Sequence, residues 1–275
     1  MKRQLGILCL VPLILWHPAL AAGEQPTTQP IRALLVLGGC CHDYAKQKDI
    51  LTRGISERTE VAWTVAFDPD STTKHQNPIY EKPDWANGFD VVIHDECSAD
   101  VNDSVMIDRI LEPHRAGLPG VVLHCAMHSF RTEGWNKNRA TPWMKFTGLI
   151  STGHGFQQPI SVNLVDRDHP ITKTLADWTT VNEELYNNAA GKLEPTAHAL
   201  ASGSQGRYKA IVAWTNQYDD AKTRVFGTTL GHNNDTVADS RYLDLVTRGL
   251  LWAVDRLDDR HLKKPSGAST ASPPK

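Results

Sequence analysis

The chain has 275 residues, 40% of them hydrophobic and 22% charged, which is enough apolar side chain for a sizeable core and rules out a disordered polymer. Lys and Arg number 29 against 31 Asp and Glu, a net charge of −2, and the absence of a long basic tract excludes an electrostatic nucleic-acid binder. Collagen-like, coiled-coil and multi-pass membrane classes fail on the same composition.

Lys2 and Arg3 precede an apolar run from Leu5 to Leu15, and Ala19-Leu20-Ala21 supplies a small-x-small cleavage pattern. Residues 1–21 therefore read as a signal peptide, which predicts an exported chain, periplasmic or extracellular, with no stable membrane insertion after cleavage. Residues 22–30 (AGEQPTTQP) read as a flexible leader and residues 258–275 as a disordered tail, leaving one domain over 31–257.

Ile31 to Leu37 (IRALLVL) is a near-continuous apolar run that stops at Gly38-Gly39, the pattern of a strand buried on both faces of a parallel sheet. A helix follows over Ala45–Ser56, then strands over Val61–Phe67 and Phe89–His94. Val105–Leu111 has helical spacing behind an Asn102 or Asp103 cap, and Gly120–His124 is a fourth strand. Beyond it, Ile160–Val165, Ala210–Trp214 and Arg224–Thr229 read as strands without full helical crossovers, and Tyr242–Leu257 closes the domain as an amphipathic helix. The fold class is α/β: a flavodoxin-like, mostly parallel sheet with helices on both faces and a partly antiparallel insertion.

Ligands of open parallel sheets bind outside the carboxyl ends of the strands. Three of the predicted strands end there in polar clusters, Gly38-Gly39-Cys40-Cys41-His42-Asp43, His94-Asp95-Glu96-Cys97 and His124-Cys125-Ala126-Met127-His128. His42 and His124 sit at strand tips and are the better candidates; His94 reads as a packed histidine and His128 as a helix cap. His75, His114, His198 and His261 are expected in loops or on solvated faces, and His169 in a turn. His154 lies between two glycines, His232 follows the apolar strand VFGTTL, and Asn182-Glu183-Glu184-Leu185-Tyr186 is either a solvated acidic stretch or a source of two carboxylates and a phenol. An exported chain with Cys40, Cys41, Cys97 and Cys125 can form disulfides, and no CxxC spacing suggests a structural zinc site.

GGCCHDY, LHCAMHSF, TGLISTGHG, DRDHPIT, NEELY, AIVAWT and RVFGTTLGHN occur in an order that resembles the ThuA-like (trehalose utilisation) family over roughly residues 31–256. The resemblance implies a fold similar to class I glutamine amidotransferases and a role in sugar utilisation. Position by position, His42, His124 and His154 match family histidines, Glu184 and Tyr186 match a DELY-like motif altered here to EELY, and His232 matches an LGHD-like motif altered to GHN. If that missing acid orients the neighbouring histidine, Asn233 should lower the basicity of His232.

Two chemistries and a binding role follow. In the first, His124, Glu184 and His232 are catalytic on a small-molecule carbohydrate, as a hydrolase or isomerase, and His42, His124, His154 and His232 hold a divalent metal, zinc first. His42, Tyr186 and Trp214 then contact the sugar, with Trp135 as a further aromatic face. In the second, Cys125 and His232 form a thiol hydrolase of amidotransferase type, although the Gly-x-Cys-x-Gly turn is lacking and Cys125 could instead pair with Cys41 or Cys97. The third reading is a non-catalytic carbohydrate-binding protein using the same pocket.

Overall fold

The structure is a computed structural model and describes residues 29–263. The expected signal peptide, all but the last two residues of the leader, and residues 264–275 of the tail lie outside the described residues. No described helix is long and apolar enough to cross a membrane.

Strands β1 (Ile31–Gly39), β2 (Val61–Asp68), β3 (Val91–Cys97), β4 (Gly120–Leu123) and β9 (Thr223–Thr228) pair in parallel in the order β2-β1-β3-β4-β9, the flavodoxin-like order. The sheet continues antiparallel through β8 (Tyr208–Tyr218), β7 (Ala197–Gln205), β5 (Gln158–Leu164) and β6 (Trp178–Glu183), so the chain between β4 and β9 supplies the insertion. Strands β6 and β7 were not predicted from the sequence.

The apolar run of β1 is explained by its two faces. Ala33, Leu35 and Leu37 join a core with helices α1 (Tyr44–Ser56) and α5 (Ser240–Ala253), while Leu34 and Val36 join a second core under α2 (Ser104–Arg115) and α3 (Pro142–Thr147). Asp43 caps α1 by accepting from the Lys46 N–H, and Asp103, not Asn102, caps α2 through the Val105 N–H at 2.9 Å. Gly54 of α1 packs on Leu243 of α5, where a β-carbon would come within 2.6 Å. That contact fixes α1 and hence the loop before it.

Three expectations are corrected. His75 and His114 are buried, not solvated: His114 donates through Nδ1 to the Leu118 carbonyl at 2.7 Å, and its Nε2 lies 3.1 Å from His94 Nε2. Helix α5 ends at Ala253, because Asp255 turns the chain with a left-handed φ of 58°. Residues 258–263 are packed rather than disordered, with the Lys263 N–H donating to the Arg58 carbonyl at 2.8 Å and the Thr59 hydroxyl donating to the His261 carbonyl at 2.7 Å.

Candidate active site at the carboxyl ends of the parallel strands

Strand β1 runs out against the end of β3, where a β-carbon on Gly39 would meet the Cys97 carbonyl oxygen at 2.3 Å. Only glycine permits that approach, and the chain then turns through Cys40 and Cys41 to present His42. His124 stands directly beyond β4 with a left-handed φ of 37°, opening the short 3-10 turn His124–His128. His232 comes from the turn after β9, just before the short helix α4 (Asn234–Ala238). Glu184 follows β6, which the antiparallel half of the sheet brings back against the α4 turn.

His42, His124 and His232 each offer a ring nitrogen within 4.8 Å of the others. The ring centroid of His42 lies 4.7 Å from that of His124 and 4.8 Å from that of His232. Glu184 Oε2 is 3.4 Å from His232 Nδ1, 3.6 Å from His154 Nε2 and 3.7 Å from His124 Nε2. One carboxylate oxygen thus faces three imidazoles. His154 borders this hub from the solvent side and stands outside the three-histidine group.

The surrounding contacts fix individual ring nitrogens. His124 Nδ1 donates to the Thr229 carbonyl at 2.7 Å, which leaves Nε2 with its lone pair toward the site. The Tyr186 hydroxyl is 3.3 Å from that Nε2, and its ring stacks on His128 with centroids 4.0 Å apart. His128 is buried and hydrogen-bonded through Nε2 to Ser151 Oγ at 2.8 Å, so it supports Tyr186 rather than capping a helix. Gln157 Nε2 lies 2.8 Å from His232 Nε2. The Nδ1 atoms of His42 and His232 are buried without a hydrogen-bond partner.

Electrostatics follow from this packing. Burial opposes ionisation of Glu184, but the neighbouring His124 and His232 outweigh it and hold the carboxyl well below the usual carboxylate range. Burial, then the neighbouring His124 and His232, push His42 down to about 2, so it is a neutral imidazole. The Glu184 carboxylate raises His232 against the effect of its own burial. Burial and the Glu184 charge keep the Tyr186 phenol protonated, a donor toward His124. A depression of about 460 Å³ lined by Cys41, His42, Asp43, His232, Asn233 and Asn234 opens beside the cluster.

The sequence-predicted residues His42, His124, Glu184, His232 and Tyr186 are therefore brought together. Trp214 is not among them: it is fully buried in β8 and donates through Nε1 to the Thr147 carbonyl at 2.7 Å, so it is core and not a sugar contact. Cys125 is bridged to Cys97 and Cys40 to Cys41, which removes the free thiol that thiol catalysis by Cys125 and His232 requires. The GHN departure also resolves differently from expectation. Asn233 uses its side chain to cap α4, accepting from the Asp235 N–H at 2.9 Å, and Glu184 sets the basicity of His232 upward.

Sequence reasoning missed the role of Glu183. Its buried carboxylate accepts the backbone N–H groups of Asn233 at 2.9 Å, His232 at 3.0 Å and Gly231 at 3.3 Å, and so ties β6 to the His232 turn. The paired acids of EELY were the available signal. Period-2 alternation would have sent Glu183 and Glu184 to opposite sides.

A family model described as ThuA, trehalose utilisation, matches residues 32–253. Among solved structures, a ThuA-like protein from Parabacteroides merdae superposes with a TM-score of 0.62 at 19% identity, covering 82% of this chain and 90% of that one. A second, from Bacteroides uniformis, gives 0.58 at 17% identity over 86% and 95% of the two chains. Part of a β-galactosidase from G. stearothermophilus, 30% of its chain, matches 82% of this one with a TM-score of 0.51 at 11% identity. No curated protein matches the chain.

Proposed function

The chain belongs to the ThuA trehalose-utilisation family, and we propose that it is an exported enzyme acting on a sugar or sugar derivative, with a divalent metal, zinc, at the His42–His124–His232 cluster. The observation that carries this reading is the donor set itself: three ring nitrogens within 4.8 Å of one another, with the His42 Nδ1 buried and without a protein partner. Buried polar atoms without partners are costly, and a cation would satisfy them.

The residues fit such an ion. Ligands about 2.0–2.1 Å from a tetrahedral zinc lie about 3.3 Å from each other, a spacing within reach of the ring nitrogens of His42, His124 and His232, which already lie within 4.8 Å of one another. His124 anchors its far nitrogen on a backbone carbonyl, the usual support for a metal-binding imidazole. His42, neutral because it is buried, has a lone pair to give. When bound, the ion supplies Lewis acidity toward a sugar oxygen or a water.

The chain's own groups then orient and move protons. Glu184, ionised, sets one carboxylate oxygen 3.4 Å from His232, 3.6 Å from His154 and 3.7 Å from His124 and so holds a negative charge beside all three rings. The protonated Tyr186 phenol is a donor beside His124, suited to a sugar oxygen. His154, with its side chain 40% exposed, is the imidazole placed to exchange protons with solvent. The disulfides among Cys40, Cys41, Cys97 and Cys125 agree with an oxidising, exported setting.

The test is turnover of a panel of sugars and oxidised sugars by zinc-loaded protein beside His124→Ala, Glu184→Gln and His232→Ala. At least a hundredfold loss in each variant is expected. Sugar binding by the wild type with no turnover would leave a binding protein, and full activity in a chelator would leave Glu184 and the histidines as a metal-free acid–base set.

A further inference from the structure

We propose that the groove running from His154 to the β7–β8 hairpin is a second sugar subsite, selective for an anionic sugar unit of a substrate longer than one ring. This inference rests on the carbohydrate reading of the neighbouring cluster and names the substrate class for it.

The groove has a volume of about 780 Å³, within the range of about 300–1,000 Å³ usual for small-molecule sites. One end is formed by His154 and Tyr186, which are joined by an isolated backbone bridge. These residues also touch the cluster, His154 Nε2 lying 3.6 Å from Glu184 Oε2 and the Tyr186 hydroxyl 3.3 Å from His124 Nε2. The groove therefore borders the cluster, with His154 and Tyr186 as the wall they share. The other end is the hairpin turn, where Gly206 takes a left-handed φ of 56° and carries Arg207, Tyr208 and Lys209 into the lining.

Two features of the lining point to a particular ligand. Phe156 and Tyr208, 87% and 63% exposed, are the only aromatic side chains among the large exposed hydrophobics of the described residues, and both line this groove. Aromatic faces left in water beside a catalytic cluster suit the apolar face of a sugar ring. The second feature is charge. Arg207 and Lys209 line the groove with no Asp or Glu among the lining residues, and among the described residues neither cation has a carboxylate within ion-pair distance.

The Arg207 guanidinium is instead held over the Tyr208 ring, 5.2 Å from its centroid, with Nη2 donating to the Tyr208 hydroxyl at 3.2 Å. Asn188 in the same lining has a buried Nδ2 with no acceptor. A planar cation fixed beside an exposed ring, next to amide donors, matches a sugar that carries a carboxylate or a phosphate.

Calorimetric titration of the full mature chain, with zinc content measured on each sample, tests this. The probes are digalacturonic acid, the neutral disaccharide cellobiose and glucose 6-phosphate. Digalacturonate is expected to bind at least tenfold more tightly than cellobiose, and the preference should shrink with added salt and vanish in the double variant Arg207→Ser, Lys209→Ser. Tighter binding of glucose 6-phosphate than of digalacturonate would assign the anion as phosphate. Phe156→Ser should weaken the anionic disaccharide severalfold.

Equal affinity for charged and neutral disaccharides, or a preference that survives the double variant, would overturn the proposal while leaving zinc at the cluster. Anionic preference lost in the double variant, in protein that takes up no zinc, would support the groove and defeat the metal reading alone. Arg207 and Lys209 are exposed, so an unchanged urea unfolding midpoint in the double variant serves as its folding control whether or not the protein takes up zinc.

Discussion

The buried carboxylate of Glu183 accepts the backbone N–H of His232 at 3.0 Å, while the next residue, Glu184, faces the same histidine's ring at 3.4 Å. Two adjacent acids at the end of β6 thus hold one histidine by its backbone and by its side chain. This explains how a strand at the far edge of the sheet governs a turn that follows β9.

Replacing Glu183 with Gln should therefore loosen the 231–233 turn without touching the reacting groups. A neutral amide cannot accept three N–H donors as a carboxylate does, and hydrogen bonds to a charged acceptor are worth about 1.5–3 kcal/mol. The expected result is a loss of about that size in unfolding free energy together with roughly ten- to hundredfold weaker zinc binding. Urea unfolding and zinc titration check it; unchanged zinc affinity would remove Glu183 from the support of the site.

Acid should destabilise the fold through its buried histidines. Burial holds His75, His114 and His128 neutral, His114 being pushed down to about 3 by burial and then by His94. Above the ordinary histidine value of about 6.5, folded and unfolded chains are both neutral at these positions. Below that value the unfolded chain takes up protons that the folded chain refuses, at His114 down to about 3, so stability falls as pH drops. Each such group contributes at most about 1.4 kcal/mol per pH unit, and His232, shifted upward by Glu184, and Asp95, shifted upward by burial and then by Glu96, offset part of the total. Urea unfolding in a chelator should give at least about 2 kcal/mol less stability at pH 5.0 than at pH 7.5. Equal stability would mean that these histidines take up protons in the folded state.

Cysteine alkylation gives a direct check on the sulfur chemistry. Cys40–Cys41 and Cys97–Cys125 are bridged, so unreduced, folded protein should take up no iodoacetamide at these four positions, and reduced, unfolded protein should take up four. Peptide mass spectrometry reads both. Labelling of Cys125 without reductant would restore a thiol nucleophile beside His124.

Trp214→Phe should behave as a core substitution. It removes the hydrogen bond to the Thr147 carbonyl and part of a ring packed against Gly227, where an added β-carbon would come within 2.5 Å of the indole. A loss of about 1–3 kcal/mol in stability is expected, with sugar and zinc affinity unchanged. Selective loss of sugar affinity in a stable variant would return Trp214 to the binding surface.

The parts of this fold legible in the sequence were those with strong local pattern. The run IRALLVL identified β1 because both faces are buried, and the polar residues after β1 and β4 marked the sheet edge that carries His42 and His124. Strand β7 was hidden because AHALASGSQ lacks β-branched and aromatic residues. It pairs as a strand because Gly203 lets Ile160 and Val212 close over it, a long-range packing fact. His114 looked solvated at the end of α2, and only the neighbouring β3 and α3 bury it, through His94 and Phe146. The strand end after VFGTTL marked His232, and the family resemblance singled out Glu184 and Tyr186 from NEELY, whereas the backbone-holding role of Glu183 depends on contacts about 50 residues away in the chain.

The most direct measurement is elemental analysis of the purified, tag-free mature protein beside His124→Ala and His232→Ala. Close to one zinc, or another first-row divalent metal, is expected per wild-type chain, with its loss in both variants. Wild-type protein that holds no metal after incubation with zinc, or variants that retain it fully, would contradict a metal centre at His42, His124 and His232.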